Sequence, residues 1–134
     1  SGLMIFAKNR LVASKISKLF LKNKINKYYI ANTNGLFKKS SGLIKNTNSE
    51  NKNLELLYRR IYLNNFTNTY LIKLLTGKKH QIRLQFFLNN NPIIGNKKFN
   101  SKSKFDLQLS SISLNFIYEE KFYKFKLSLN QIFQ

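Results

Sequence analysis

The residues best suited to chemistry lie in one stretch, Leu74–Gly95, which reads LLTGKKHQIRLQFFLNNNPIIG. It contains a strand end, a Thr76-Gly77 break and a helical pattern opening on Lys78, Lys79 and His80. A helix N-terminus presents unpaired backbone N–H groups and the positive end of the helix dipole. Three cationic or titratable side chains there repel that end unless an anion fills the space, and an RNA phosphate or a carboxylate would do so. Arg83 follows His80 by three positions, on the same helical face, between apolar Ile82 and Leu84. That setting suits a half-buried, paired arginine. The plainer reading of the same pattern is a solvated basic helix face.

The charge balance argues for a polyanionic partner. Lys and Arg total 24 against five carboxylates (Glu50, Glu55, Asp106, Glu119 and Glu120), for a net charge of +19. Such a chain repels itself and seeks nucleic-acid phosphate, or secondarily an anionic membrane. No amphipathic basic helix stands apart from the remaining pattern, so RNA is the expected partner and a membrane is not. An AT-rich coding bias explains the abundance of Lys, Asn, Ile and Phe, but does not by itself remove Asp and Glu. With no Cys and a single His, disulfides, thiolate metal sites and multi-histidine metal sites are excluded. No apolar run approaches the ~20 residues of a membrane span, and no cleavable signal peptide is visible. The expected location is the cytoplasm of a bacterium or the interior of an organelle, not outside the cell. The chain begins at Ser1 rather than Met, which leaves open a fragment, a processed product or a natural start.

The elements that must position these residues form one domain over 1–134. Leu3–Ala7 is a short apolar run, read as a buried strand. Asn9 is a candidate N-cap for a helix over Arg10–Lys22 with a basic outer face. Ile25–Thr33 reads as a strand closed by Asn34-Gly35. Ser40–Lys52, rich in Ser, Asn, Gly and Lys, reads as a loop or insertion. Leu54–Tyr62 and Thr69–Leu75 form a hairpin around Asn64–Asn68. The second helix is expected over Lys78–Asn89, with Ile82, Phe86 and a candidate Phe87 facing inward, ended by Pro92. Asn96–Lys104 is a basic loop. Leu107–Ile117 alternates with a change of phase near Ser110, the mark of a bulge or strand start. Glu119-Glu120-Lys121 is a turn, and Phe122–Leu129 is the last strand. Strands outnumber helices, so the fold class is α+β with a mostly antiparallel, mixed sheet and two helices.

These blocks resemble the RluA-type RNA pseudouridine synthases. Thr76-Gly77-Lys78-Lys79-His80-Gln81-Ile82-Arg83, followed by Asn91-Pro92-Ile93-Ile94-Gly95, is similar to that family's TGR-x-HQIR-(V/L)-H and (G/N)-x-P-(I/V)-x-GD segments. Ser1–Asn9 resembles the TSGL-(L/M)-(I/V)-x-AK segment. Lys27-Tyr28-Tyr29-Ile30-Ala31 resembles the K-x-Y-x-A strand, and Leu107–Ser111 falls where the family has L-x-L-H-A. Four blocks in order cover nearly the whole chain, as the greater, C-terminal part of a catalytic domain.

The resemblance implies that Arg83 is the active-site arginine that pairs with the catalytic Asp, and that Tyr29 packs against the target base. It places Lys78, Lys79, His80 and Gln81 at the RNA-facing edge, and Lys97 and Lys98 of the following basic loop join them as RNA-contact candidates. In this family uridine in RNA is detached from its ribose, turned and rejoined through C5, without metal or organic cofactor. The base must leave the stack, which calls for an aromatic platform and phosphate clamps. The family's catalytic Asp stands in H-R-L-D-x-x-T-S-G, four residues before the position of Ser1, so it is absent from this sequence, as are the strands preceding it. Asp106 matches no family nucleophile and reads as a surface residue. Gln85, Asn96, Phe99 and Ser110 replace the family's His, Asp, Tyr and His, and the two loops are short for the family. Two functions are consistent with this pattern. One is an RNA pseudouridine synthase acting on ribosomal or transfer RNA. The other is a non-catalytic RNA-binding relative, a structural component or assembly factor of a bacterial or organellar ribosome, with ribosomal proteins as neighbours.

Overall fold

The structure is a computed structural model that describes residues 1–99, 104–128 and 131. Its described elements are α1 (Arg10–Leu21), β1 (Asn26–Thr33), β2 (Ser41–Thr47), β3 (Asn53–Leu63), β4 (Asn68–Leu74), α2 (Gln81–Leu88), β5 (Leu109–Tyr118) and β6 (Lys121–Lys126). The six strands form one sheet in the order β2-β3-β4-β1-β5-β6. Every ladder between neighbouring strands is antiparallel. The α+β class holds. The expected mixed character shrinks to one isolated parallel bridge, Gly2 with Ser111.

Strand alternation sorts side chains onto two faces. On β1, Tyr29, Ala31 and Thr33 share one face. It is continued by Tyr70 and Ile72 of β4, Leu56 of β3 and Ile44 of β2, which pack with Ile82 and Phe86 of α2. Four rings (Phe37, Tyr58, Tyr70 and Phe86) meet there at centroid separations of 4.6–5.9 Å, mostly edge to face. A second cluster joins Ile25, Leu114 and Phe116 to Ile16 and Leu19 of α1. Leu114 pairs with Lys27 across the ladder, and Lys27 shares the Tyr29 side of β1. Both helices therefore lie on the same face of the sheet, and Tyr29 lies between them.

Helix α1 starts at its expected cap: Asn9 Oδ1 accepts the Val12 N–H at 2.9 Å. Helix α2 begins three residues later than the sequence suggests. His80 is its N-cap, in the left-handed region (φ 56°), with no capping bond from its own side chain. Lys78 and Lys79 belong to the turn before it. The start is fixed instead by Gln81. Its amide oxygen accepts the Lys78 N–H (3.1 Å) and the Thr76 hydroxyl (3.0 Å), and its amide nitrogen donates to the Glu55 carbonyl (3.1 Å) and to Gln85 Oε1 (2.9 Å). Gln85 Nε2 in turn donates to the carbonyls of Ile44 and Leu54, each at 3.1 Å. These two buried amides tie α2 to β2 and β3.

Three further expectations change. Leu3–Ala7 is not a strand: Leu3 and Ile5 turn toward α1 while Met4 and Phe6 are exposed, and beyond the Gly2–Ser111 bridge it joins no ladder. Ser40–Lys52 holds an edge strand, β2, and a tight turn in which Asn48 Oδ1 accepts the N–H groups of Glu50 and Lys52. Phe87 faces out and stacks on Phe99 at 5.8 Å. The β5–β6 turn is a two-residue connection with both Glu119 and Glu120 at positive φ (48° and 62°), the geometry that matches strand twist. β6 ends at Lys126, and Leu129 lies outside the described residues. The phase change on β5 is a bulge: Tyr28 pairs with Ser113 and Tyr29 with Ser111, leaving Ile112 without a partner on β1.

Replacing Gln85 by Leu removes the donor from two buried carbonyls and one acceptor from Gln81. Urea unfolding of Gln85→Leu should show a loss of about 2–3 kcal/mol. A change within a few tenths of a kcal/mol would mean that these amides do not hold α2.

Candidate active site

The site is built where β1, α2 and the loop after α2 meet. Tyr29, on the helix side of β1, and Arg83, on the first turn of α2, line one cavity of about 270 Å³. Leu74, Leu107 and Leu109 form its apolar wall, and Lys78, His80 and Ser1 stand on its border. Burial pushes the Tyr29 phenol above the ordinary tyrosine value, and neighbouring Ser111 offsets part of that rise. The ring is therefore a neutral, half-buried platform at neutral pH.

Arg83 is held from behind. Its Nε donates to Asn96 Oδ1 at 2.8 Å, and Asn96 Nδ2 returns a bond to the Arg83 carbonyl at 3.3 Å. The guanidinium carbon lies 6.0 Å from the Phe99 ring centroid. Asn96 is fully buried, so this grip is fixed. Among the described residues no carboxylate pairs with Arg83, and its terminal nitrogens remain for a partner in the cavity. The neutral Asn96 amide orients the arginine without neutralising it.

The cationic residues divide into those that converge and those that do not. Lys78, Lys79, His80 and Lys98 border a second depression of about 660 Å³, with Phe99 and the Asn48–Lys52 turn on its other sides. Burial holds the His80 imidazole below its ordinary value, and the charges of Lys98, Arg83 and Lys79 push it the same way. Lys97 turns aside to Asp106, at 3.8 Å. Gln81 is not at an RNA-facing surface: it is buried, and its amide uses its full bonding capacity inside the protein. Its part is to place the turn that carries Lys78, Lys79 and His80. Asp106 is exposed and does not line the cavity, although its neighbour Leu107 does.

Three residues at the site escaped sequence reasoning. Asn96 and Phe99 position Arg83, and their only signal was as substitutions within a family motif. Lys27 is buried beside the Thr76–Lys78 turn. Its signal was its place two residues before Tyr29, hence on the same strand face. Among the described residues, no group of three or more His, Cys, Asp or Glu is arranged to hold a metal ion.

Comparison with known proteins agrees with this arrangement. The RNA pseudouridylate synthase family profile matches residues 1–87. The chain is 33% identical over 123 residues to an uncharacterized RNA pseudouridine synthase of Mycoplasma capricolum, covering 81% of this chain and 41% of that protein. It is 30% identical over 118 residues to the ribosomal large subunit pseudouridine synthase C of Rickettsia typhi, covering 76% and 39%. The chain thus spans about two fifths of the length of these relatives. Its fold is shared with human RNA pseudouridylate synthase domain containing 4, at a TM-score of 0.79 and 17% identity over 93% of this chain and 66% of that one. Motif order, fold and family profile agree: the chain belongs to the RNA pseudouridine synthase family, of the RluA type.

Proposed function

We propose that this chain carries most of the catalytic domain of an enzyme that isomerises uridine to pseudouridine in ribosomal or transfer RNA, in a bacterial cytoplasm or an organelle. The observation that supports this best is the convergence of Tyr29 and Arg83 on one cavity, with Arg83 gripped at Nε and open at its terminal nitrogens. Ser1 borders the same cavity. A segment leading into Ser1 would therefore bring a carboxylate four residues upstream to the neighbourhood of Arg83. The guanidinium would keep that carboxylate ionised and aimed. The flipped base would pack on Tyr29 against the leucine wall, while Lys78, Lys79, His80 and Lys98 hold the strand by its phosphates. The relative named for the large ribosomal subunit favours ribosomal RNA over transfer RNA.

A second reading has its own observation. No carboxylate lines the cavity formed by the described residues. A chain acting without an upstream Asp would bind RNA and leave it unchanged, as a ribosome component or assembly factor.

In the protein extended by its native upstream segment, Arg83→Ala should lower pseudouridine formation by about 100-fold or more, as loss of a pre-organised charge at a reacting centre does. The measurement is release of tritium from RNA labelled at uridine C5. Activity unchanged by the substitution would remove Arg83 from the reaction. RNA binding without any tritium release from the unsubstituted protein would favour the second reading.

RNA affinity should also depend on pH through His80. In the free protein its imidazolium is disfavoured, with a pKa below the ordinary 6.5, whereas an adjacent phosphate favours it. The complex therefore binds more protons than the free protein, and affinity rises as pH falls from about 7.5 to about 5.5. The same depression makes the free protein lose stability as pH falls from the ordinary 6.5 toward the lowered value, below which no further stability is lost. His80→Asn suits the left-handed backbone and should flatten the affinity profile. A profile of the same slope in the variant would assign the dependence elsewhere.

A further inference from the structure

Lys27 is the feature of the fold that the proposed reaction leaves unused. Its side chain is 6% exposed, yet it has no carboxylate partner and no hydrogen bond among the described residues. Its Nζ lies 5.8 Å from the centroid of the Phe20 ring. The last carbonyls of α1 do not serve it: those of Lys18, Leu19 and Phe20 accept the N–H groups of Lys22, Lys24 and Asn23. The stem is buried while the ammonium reaches the adjoining cavity, and burial holds its pKa below the ordinary lysine value. An ammonium presented in this way, without a partner among the described residues, is free to take a ligand.

The surroundings state which ligand. Lys27 lines a cavity of about 370 Å³ between the end of α1 and the Thr76–Lys78 turn, with Lys52 and Lys78 as the other charged residues on its wall. No carboxylate lines it; Lys52 is already paired with Glu50 at 2.5 Å, which leaves Lys27 and Lys78 as the cations that face an anion there. The close approach of Gly77 keeps it open, because a Cβ there would stand 2.6 Å from Lys27 Nζ. Lys78 borders this cavity, the Tyr29–Arg83 cavity and the wider basic depression, so the three adjoin. Lys27 and Tyr29 are alternate residues of β1, about 7 Å apart along the strand.

We infer that Lys27, with Lys78, forms a phosphate site that clamps the RNA backbone beside the nucleotide whose base enters the Tyr29–Arg83 cavity. A base leaves the stack only if its backbone is held, and phosphate contacts fix register without reading sequence. The inference rests on RNA as the substrate of the neighbouring cavity, but its test reads binding and not turnover.

The test uses a fluorescently labelled RNA stem-loop with an unpaired uridine, titrated at several salt concentrations. Lys27→Met should weaken binding about tenfold and reduce the slope of log affinity against log salt by about one. Its melting temperature should stay the same or rise, since an unpaired buried charge has been replaced by an apolar chain. Lys27→Arg should restore part of the slope, and Gly77→Ala should weaken binding by displacing the ammonium. Unchanged affinity and slope in Lys27→Met overturn the site. Nitrogen-15 NMR of the lysine ammonium groups supplies the second arm. A shift of the Lys27 signal with RNA alone assigns the site to the strand, and a shift with inorganic phosphate as well shows that it takes phosphate from either source. No shift with either overturns it. Full salt dependence on Lys27 without pseudouridine formation would sink the enzymatic reading and leave the phosphate site standing.

Discussion

The arrangement of the site depends on one buried amide. Gln81 joins β3 through the Glu55 carbonyl, the preceding turn through Thr76 and the Lys78 N–H, and its own helix through Gln85. Those four bonds set where α2 begins. They force the chain to enter through a left-handed His80, which orders of magnitude place about 1–2 kcal/mol above a helical or extended residue. They also set the rotation of the helix, and so the direction of Arg83 two positions on. A helix of eight residues is too short to hold itself together in water. It exists because Ile82 and Phe86 are packed under it and because its polar inner face is fully bonded.

Much of this was legible in the sequence, and the failures have physical reasons. The extent of α1, the four long strands and the inward side of α2 follow from periodicity, because each buries a regular set of residues. The edge strand β2 reads as a loop in the sequence because only Ile44 of its seven residues is buried, so alternation has almost nothing to act on. Leu3–Ala7 failed in the opposite direction. Its continuous apolar run suggested a buried strand, but only Leu3 and Ile5 find neighbours in the described residues. For the site, Tyr29 and Arg83 were legible through motif resemblance, and their meeting in one cavity is a matter of tertiary structure. Gln81 looks solvent-facing in the sequence because it is a polar residue in a basic stretch. Its bonds run to a strand 26 residues away, beyond the reach of local pattern.

The charge of +19 is offset by few ion pairs. Those among the described residues are mostly exposed: Lys15–Glu119, Lys45–Glu55, Lys52–Glu50 and Lys97–Asp106. Exposed pairs contribute little to stability. Cations on α1 (Arg10, Lys18) and β6 (Lys124, Lys126) are as uncompensated as those around the helix-side cavities. An excess of this size favours polyanions over much of the surface; what sets the cavities apart is that their cations stand beside a concave space with Tyr29 on its wall.

Ile112 of β5, without a partner on β1, decides which way each half of its strand faces. Side chains on a strand reverse face with every one-residue slip. On one side of the bulge Leu114 and Phe116 face α1, and on the other Leu109 and Ser111 face Tyr29. Leu114 and Ser111 are three positions apart, so in an unbroken strand they would lie on opposite faces; the extra residue is what turns both halves toward the helices. Pairing β5 straight through, without the bulge, would slip one half by a residue and turn either the α1 cluster or the cavity wall away. The bulge carries no side chain of the reaction, yet it lets a single strand serve both the packing of α1 and the wall of the cavity.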